Sequence, residues 1–195
     1  VIAVIDNAIL MTHEDLKNKL VLPYDAADND YNTNPPSGFI DFKWNHGTHV
    51  TGIAGAQTDN NKGVSSLGFN LKVMPIKTVS DTSFNPKQSD EQTQTKAIKY
   101  AIDNGANIIS MSWGNKDSNL LKIKQELKRA YDSGIVLIAS SGNDGIAEKN
   151  YPAAFKYSTD GFNVISVGAT NKFDVIAEYS NRGNYINLDI LAPGT

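Results

Sequence analysis

The chain has 195 residues and no cysteine, with 40% hydrophobic residues, 20% charged residues and a net charge of −3. That is the size and balance of a folded domain with a substantial core, not of a disordered segment. The cysteine count excludes a disulfide framework, a thiolate metal site and a cysteine nucleophile; no basic block marks a nucleic-acid surface, and no apolar run approaches the ~18 residues of a membrane span.

Residues 1–5 (VIAVI) form a continuous apolar run ending at Asp6, the pattern of a central parallel strand. They have neither the basic n-region nor the cleavage site of a signal peptide. A chain that opens in mid-strand is expected to be preceded by further residues. Residues 18–43 are rich in Asn, Asp, Pro and Gly and predict loop. Residues 48–57 carry small and apolar side chains at helical spacing. Residues 71–79 (LKVMPIKTV) predict a second strand, whose Pro75 weakens the middle or marks an edge. Residues 90–104 predict an amphipathic helix with Ala97, Ile98, Ala101 and Ile102 on one face and Gly105 past its end. Strands follow at 107–112, 135–139, 163–167 and 188–191. Between the first two of these, Ser118 is placed to cap a helix that runs to Asp132 and ends before Gly134. Apolar strands alternating with amphipathic helices imply an α/β fold: one domain over 1–195 with a central, mostly parallel sheet covered by helices on both faces and incomplete at both ends. In such sheets ligands sit outside the carboxyl ends of the strands.

The chemistry-bearing residues fall at those ends. Asp6 follows the first strand; by itself it reads as a turn or cap residue. Asn7, Ala8, Ile9 and Leu10 after it include no glycine, which argues against a dinucleotide site. His46 opens the glycine- and alanine-rich stretch His46-Gly-Thr-His49-Val-Thr-Gly52-Ile-Ala-Gly55, whose slim helix can pack close to a sheet. Two histidines three apart invite a metal, but no third and fourth ligand accompany them, so His49 reads as a buried or hydrogen-bonded histidine. An aspartate and a histidine in this order on a parallel α/β scaffold suggest two members of a triad, with the carboxylate orienting the imidazole.

The motifs resemble those of the subtilisin-like serine peptidases, the subtilases. Ala3-Val-Ile-Asp6 resembles the aspartate motif, and Thr12-His-Glu-Asp-Leu16 the segment that follows it. His46-Gly-Thr-His-Val-Thr-Gly52 resembles the histidine motif. Ile108-Ile-Ser-Met-Ser-Trp-Gly114 is similar to the cleft-lining strand, and Ile138-Ala-Ser-Ser-Gly-Asn-Asp-Gly145 to the segment of the oxyanion asparagine. Tyr151-Pro-Ala153, Val164-Ile-Ser-Val-Gly168, Ser180-Asn-Arg-Gly183 and Leu191-Ala-Pro-Gly194 follow in the family's order. The resemblance implies a serine endopeptidase. Asp6 orients the base, His46 is the base, and the amide of Asn143 donates to the oxyanion; read alone, Asn143 is a turn residue between two glycines. Ser112, Trp113 and Gly114 offer main-chain groups to an extended polypeptide, although Trp113 reads equally as core. Ser140, Ser141, Gly142, Tyr151 and Pro152 form the walls of the primary pocket, with its floor near Asn150 and Glu148 unplaced.

The chain departs from the family in two places. The aspartate is followed by Asn7-Ala8 where the family carries Thr or Ser and then Gly, so a left-handed backbone at residue 8 would be strained. The nucleophilic serine, carried by a G-T-S-M-A motif beyond the A-P-G segment, is not among these residues. The chain alone is therefore expected to form no acyl-enzyme. It is also expected to be marginally stable, or to associate through the face that the serine-bearing helix covers. The alternative is a subtilase-like module that binds peptides without catalysis. No organic cofactor and no metal ligand set are implied. Structural calcium is common in the family, but the acidic stretch 25–34 matches no defined calcium loop. The implied partners are an extended polypeptide substrate and a propeptide or a missing C-terminal segment of the same domain, with no nucleic acid and no membrane. The implied location is secreted or at the cell surface.

Overall fold

The computed structural model describes residues 1–37, 42–83, 85, 89–182 and 188–194, the side chain of Phe42 excepted. Positions 38–41 of the expected loop and Gly183 of the S-N-R-G segment lie outside them. The chain divides into two compact units, Val1–Ile109 and Ser110–Thr195.

The first unit contains β1 (Ile2–Asp6), β2 (Tyr24–Asp25), α1 (His46–Gly55), β3 (Val73–Lys77) and α2 (Glu91–Asp103), with a 3₁₀ turn at Phe42–Trp44. β4 (Ile108–Met111) runs across the boundary. The strands are parallel in the order β2-β3-β1. Ala3, Val4 and Ile5 of β1 and Met74 and Ile76 of β3 are fully buried, as are Ala97, Ile98 and Ala101 of α2. Each such Val or Ile contributes about 1.5–3 kcal/mol by burial. α1 and α2 both pack on β1 and β3. Asp90 caps α2 by accepting the Thr93 amide at 2.7 Å, and Gly105 turns the chain away with φ +75°.

Pro75 neither breaks β3 nor places it at an edge. It lies opposite Val4 within the β1 pairing. The Val73 amide points the other way, donating to the Lys19 carbonyl at 2.9 Å. Alternation along a strand turns residue 75 to that same side. There it meets the gap between the bridge at Leu20 and the start of β2 at Tyr24, where no donor is needed. α1 begins at His46, where the sequence places the start of a helix. β2 and the 3₁₀ turn lie in the stretch read as loop.

The second unit contains α3 (Leu121–Asp132), β5 (Val136–Ser140), α4 (Tyr157–Asp160), β6 (Ile165–Thr170) and β7 (Ile190–Pro193), with β5, β6 and β7 parallel in that order. α3 buries Ile123, Leu127 and Ala130 and packs on β5. Ser118 does not cap α3: Leu120 holds the cap position, and no side chain bonds to the helix end. Gly134 takes φ +79° after the helix, as its position predicts. Tyr151, Phe155 and Phe162 form a ladder with centroid spacings of 4.9 and 5.5 Å. Both units are thus α/β with parallel strands, as the alternation predicts. Among the described residues no helix is long and apolar enough to cross a membrane.

Candidate active site

In the first unit two of the candidate residues meet because of where their elements end and begin. Asp6 is the last residue of β1 and is 5% exposed; His46 is the first residue of α1. Their side chains join through Asp6 Oδ1 and His46 Nδ1 at 2.7 Å, with the His46 side chain 53% exposed and that of Asp6 4%. An ionised carboxylate only accepts, so this bond takes its proton from Nδ1, and in the neutral ring that leaves the lone pair on Nε2. The Asp6 carbonyl is pinned by the amide and hydroxyl of Thr78, at 2.9 and 3.1 Å. Among the described residues, the buried Asp6 Oδ2 has no hydrogen-bond partner.

The glycine after His46 is a steric requirement. A Cβ on Gly47 would lie 2.4 Å from the Ala8 carbonyl oxygen and 2.8 Å from the Asp6 Cβ. The helix thus approaches the strand end closely enough for a histidine at its first position to reach the carboxylate. Ala8 is not among the residues with positive φ, so replacing the family's glycine introduces no left-handed strain.

His49 lies one turn along α1. It lines a cavity of about 940 Å³ together with Leu10, Leu16, Trp44, Ile53 and Val64. That cavity flanks the helix and includes neither Asp6 nor His46. Among the described residues the one cluster of metal-ligating type is Asp25, Asp28 and Asp81. The ammonium of Lys77 lies among them, bonded to Asp25 at 2.6 Å and to Asp81, and 3.7 Å from Asp28. Lys77 and Asp25 are fully buried. Asp25 also accepts the Ala27 and Asp28 amides, and Asp28 accepts the Ser80 hydroxyl and the Asp81 amide. A divalent ion would have to displace an ammonium already placed among the carboxylates, so this cluster does not fit the structural calcium considered for the 25–34 stretch.

In the second unit Asn143 stands in the loop after β5 and is exposed. Among the described residues its side-chain amide makes no hydrogen bond. The loop around it is held by Asn181, which is 1% exposed. The Asn181 side chain donates to the Ser141 carbonyl at 3.1 Å and accepts the Asp144 amide at 2.9 Å, while its own amide donates to the Gly142 carbonyl at 3.0 Å. Gly142 has φ +106°, and a Cβ there would lie 2.4 Å from the Asn181 Nδ2. The sequence placed Asn181 only as part of an ordered motif; its role as organiser carries no local signature.

Ser112, Trp113 and Gly114 follow β4, and Asn115 pairs with Tyr151 through two main-chain bonds of 2.8 Å. The Asn150 side chain donates to the Ser140 carbonyl at 3.1 Å and lies against Gly114, where a Cβ would come within 2.1 Å of it. The structure thus brings Gly114, Ser140, Asn150 and Tyr151 together. Ser141 and Pro152 are buried, whereas Gly142 and Tyr151 are half-buried. The Trp113 indole nitrogen is buried without a partner. Glu148 pairs with Lys116 at 2.5 Å.

A family model described as the Subtilase family matches residues 1–195. The chain is 36% identical over 193 residues to a thermophilic serine proteinase of Bacillus sp. (strain AK1), covering 99% of this chain and 43% of that protein. It is 37% identical over 196 residues to a cell wall-associated protease of Bacillus subtilis (strain 168), covering 100% and 20%. It is 30% identical to thermitase of Thermoactinomyces vulgaris, covering 100% and 62%. The chain therefore spans less than two thirds of each of these relatives. Among solved structures, the prenylagaramide maturation protease PagA superposes with a TM-score of 0.76 at 25% identity, over 99% of this chain and 62% of that one. The epidermin leader peptide processing serine protease of Staphylococcus aureus superposes with a TM-score of 0.78 at 24% identity, over 99% and 51%, a likeness of fold.

Proposed function

Because the chain belongs to the subtilase family, we propose that it forms part of a serine endopeptidase that cleaves polypeptides through an acyl-enzyme. The observation that carries this reading is the bond between a buried carboxylate and a half-exposed imidazole, Asp6 to His46 at 2.7 Å. The nucleophilic serine, which no residue of 1–195 matches in context, belongs to the rest of the polypeptide.

In this reading His46 Nε2 takes the serine hydroxyl proton as the oxygen attacks the scissile carbonyl, and Asp6 stabilises the imidazolium that forms. The carbonyl π pair moves onto oxygen, and the exposed Asn143 amide donates to that oxyanion, a charge present only near the transition state. Collapse breaks the C–N bond, and His46 returns the proton to the leaving amine. Water then repeats the sequence on the acyl-enzyme. The substrate lies extended along Ser112–Gly114, with its principal side chain between that segment, Ser140–Gly142 and Tyr151–Pro152. The Asn150 side chain lies beside Gly114 at the floor expected for this pocket. The cell wall-associated relative supports a secreted or cell-surface location, and a propeptide is the natural intramolecular partner of such a cleft.

The test is active-site labelling of the full-length protein with a fluorophosphonate. The wild type is expected to label at one serine and His46→Ala to remain unlabelled; a folded wild type that never labels sinks the reading.

A further inference from the structure

We propose that Asn7 is a positioning residue that ties the aspartate to the histidine helix and so sets the His46 imidazole; this rests on the peptidase reading. The first amides of a helix have no partner within it. In α1 the cap position belongs to Asn45, whose side chain makes no cap bond. The missing acceptor comes from the far side of the site. Asn7 Oδ1 accepts the Gly47 amide at 3.1 Å and the Ala8 amide at 2.7 Å, and Asn7 Nδ2 donates to the Lys43 carbonyl at 2.8 Å. One side chain therefore grips the chain before and after His46. The main chain of the same residue holds the other partner, because the Asn7 amide donates to Asp6 Oδ1 at 2.8 Å, the oxygen that receives His46 Nδ1.

The chemistry of an amide suits this place. The side chain must accept from one side and donate to the other, and asparagine does both without charge. A carboxylate offers no donor and would put a second negative charge beside Asp6. A hydroxyl is too short to span from Lys43 to Gly47. Asn7 is 8% exposed, so these bonds are shielded from competing water. The fold has an independent tie at the same corner, since the Leu10 amide donates to Thr48 Oγ1 at 2.9 Å. Losing the Asn7 bonds therefore loosens the imidazole rather than the domain. A reacting group displaced by about 1 Å loses on the order of 10²-fold in rate.

The experiment compares wild type with Asn7→Leu, which keeps the shape and removes both polar functions, in the full-length protein. Two readouts are taken: kinetics on a peptide substrate, and the Nδ1–H proton of ¹⁵N-labelled His46, assigned by its loss in His46→Gln. The expected result is a fall in kcat on the order of 10²-fold with KM unchanged, and faster solvent exchange of the Nδ1–H proton. An unchanged exchange rate overturns the proposal, whether or not kcat falls. If Asn7→Leu does not fold, Asn7→Ser decides on the same two readouts, because its hydroxyl cannot reach Lys43 and Gly47 together. If wild type proves inactive, the peptidase reading fails, while the Nδ1–H exchange still reports whether Asn7 holds the imidazole.

Discussion

Two aspartates stand at the ends of strands in the same sheet, one strand apart, and are treated in opposite ways. Lys77 ends β3 and lies opposite Asp6 of β1 on one side and Asp25 of β2 on the other. Asp25 is given the ammonium: both side chains are buried, and the lysine donates to Asp25 and Asp81. Asp6 is given an imidazole that is half open to solvent, and among the described residues its Oδ2 has no hydrogen-bond partner. The first arrangement spends its charge on holding strands together. The second keeps a polarised ring at the surface, where it can act on a ligand. Burial of the partner, more than the identity of the acid, separates the two pairs.

That contrast can be broken at either pair. Asp6→Asn keeps the shape but favours the wrong imidazole tautomer. Peptide hydrolysis by the full-length protein is expected to fall by about 10⁴-fold, with the urea unfolding midpoint little changed. An active Asp6→Asn protein would show that His46 does not depend on this carboxylate.

Lys77→Met should do the reverse. It leaves Asp25 as an uncompensated buried charge, and the expected cost is about 3–5 kcal/mol in urea unfolding near neutral pH. The pH dependence follows from the signs. Burial pulls the Lys77 pKa down, but the bonds to Asp25 and Asp81 outweigh it and hold it above the ordinary value. Its contribution is therefore complete below the unfolded lysine value, near 10.4, and is lost as pH rises through the higher folded value. Burial pushes Asp28 up, but the Asp81 amide and the Ser80 hydroxyl outweigh it and lower its pKa. Its contribution is present above the unfolded value, near 3.9, and is lost as pH falls through the lower folded value. Burial outweighs the bonds from Lys77 and the Ala27 and Asp28 amides and holds the Asp25 carboxyl above its ordinary value, so its ionisation opposes folding as pH rises from the unfolded value, near 3.9, through the higher folded value. Stability that does not fall with rising pH above the unfolded carboxylate value would mean that Asp25 is not buried as drawn.

The smallest effect sharpens the rule. Lys62 and Glu14 form a pair at 2.9 Å with both side chains more than half exposed. Lys62→Ala should leave the unfolding midpoint unmoved, because an exposed pair exchanges one hydrated geometry for another. A clear loss would show that exposure is not what separates the pairs.

Much of the site could be read along the chain because its parts are short and local. An apolar run ending in Asp6, a slim helix opened by His46 and a glycine-flanked Asn143 each lie within a few residues. The strand pattern likewise predicted six strands in their order, since a buried parallel strand is apolar throughout. The differences have separate causes. Pro75 predicts a weakened middle or an edge, because sequence does not show on which side its missing donor falls. Ser118 has the chemistry of a cap, but Leu120 takes that position. β2 has no sequence signal because two residues make no periodic pattern.

What the sequence determined by itself is the family and the α/β alternation, together with the candidates Asp6, His46 and Asn143, because each is written in contiguous residues. Only the tertiary structure decided which charges meet. Lys77 sits in an apolar run 52 residues from Asp25, Asn7 reaches 36 residues to Lys43 and 40 to Gly47, and Asn181 holds a loop 40 residues away at Ser141. No local pattern encodes such partners, because a hydrogen bond depends on distance in space, which the packing of helices on strands sets.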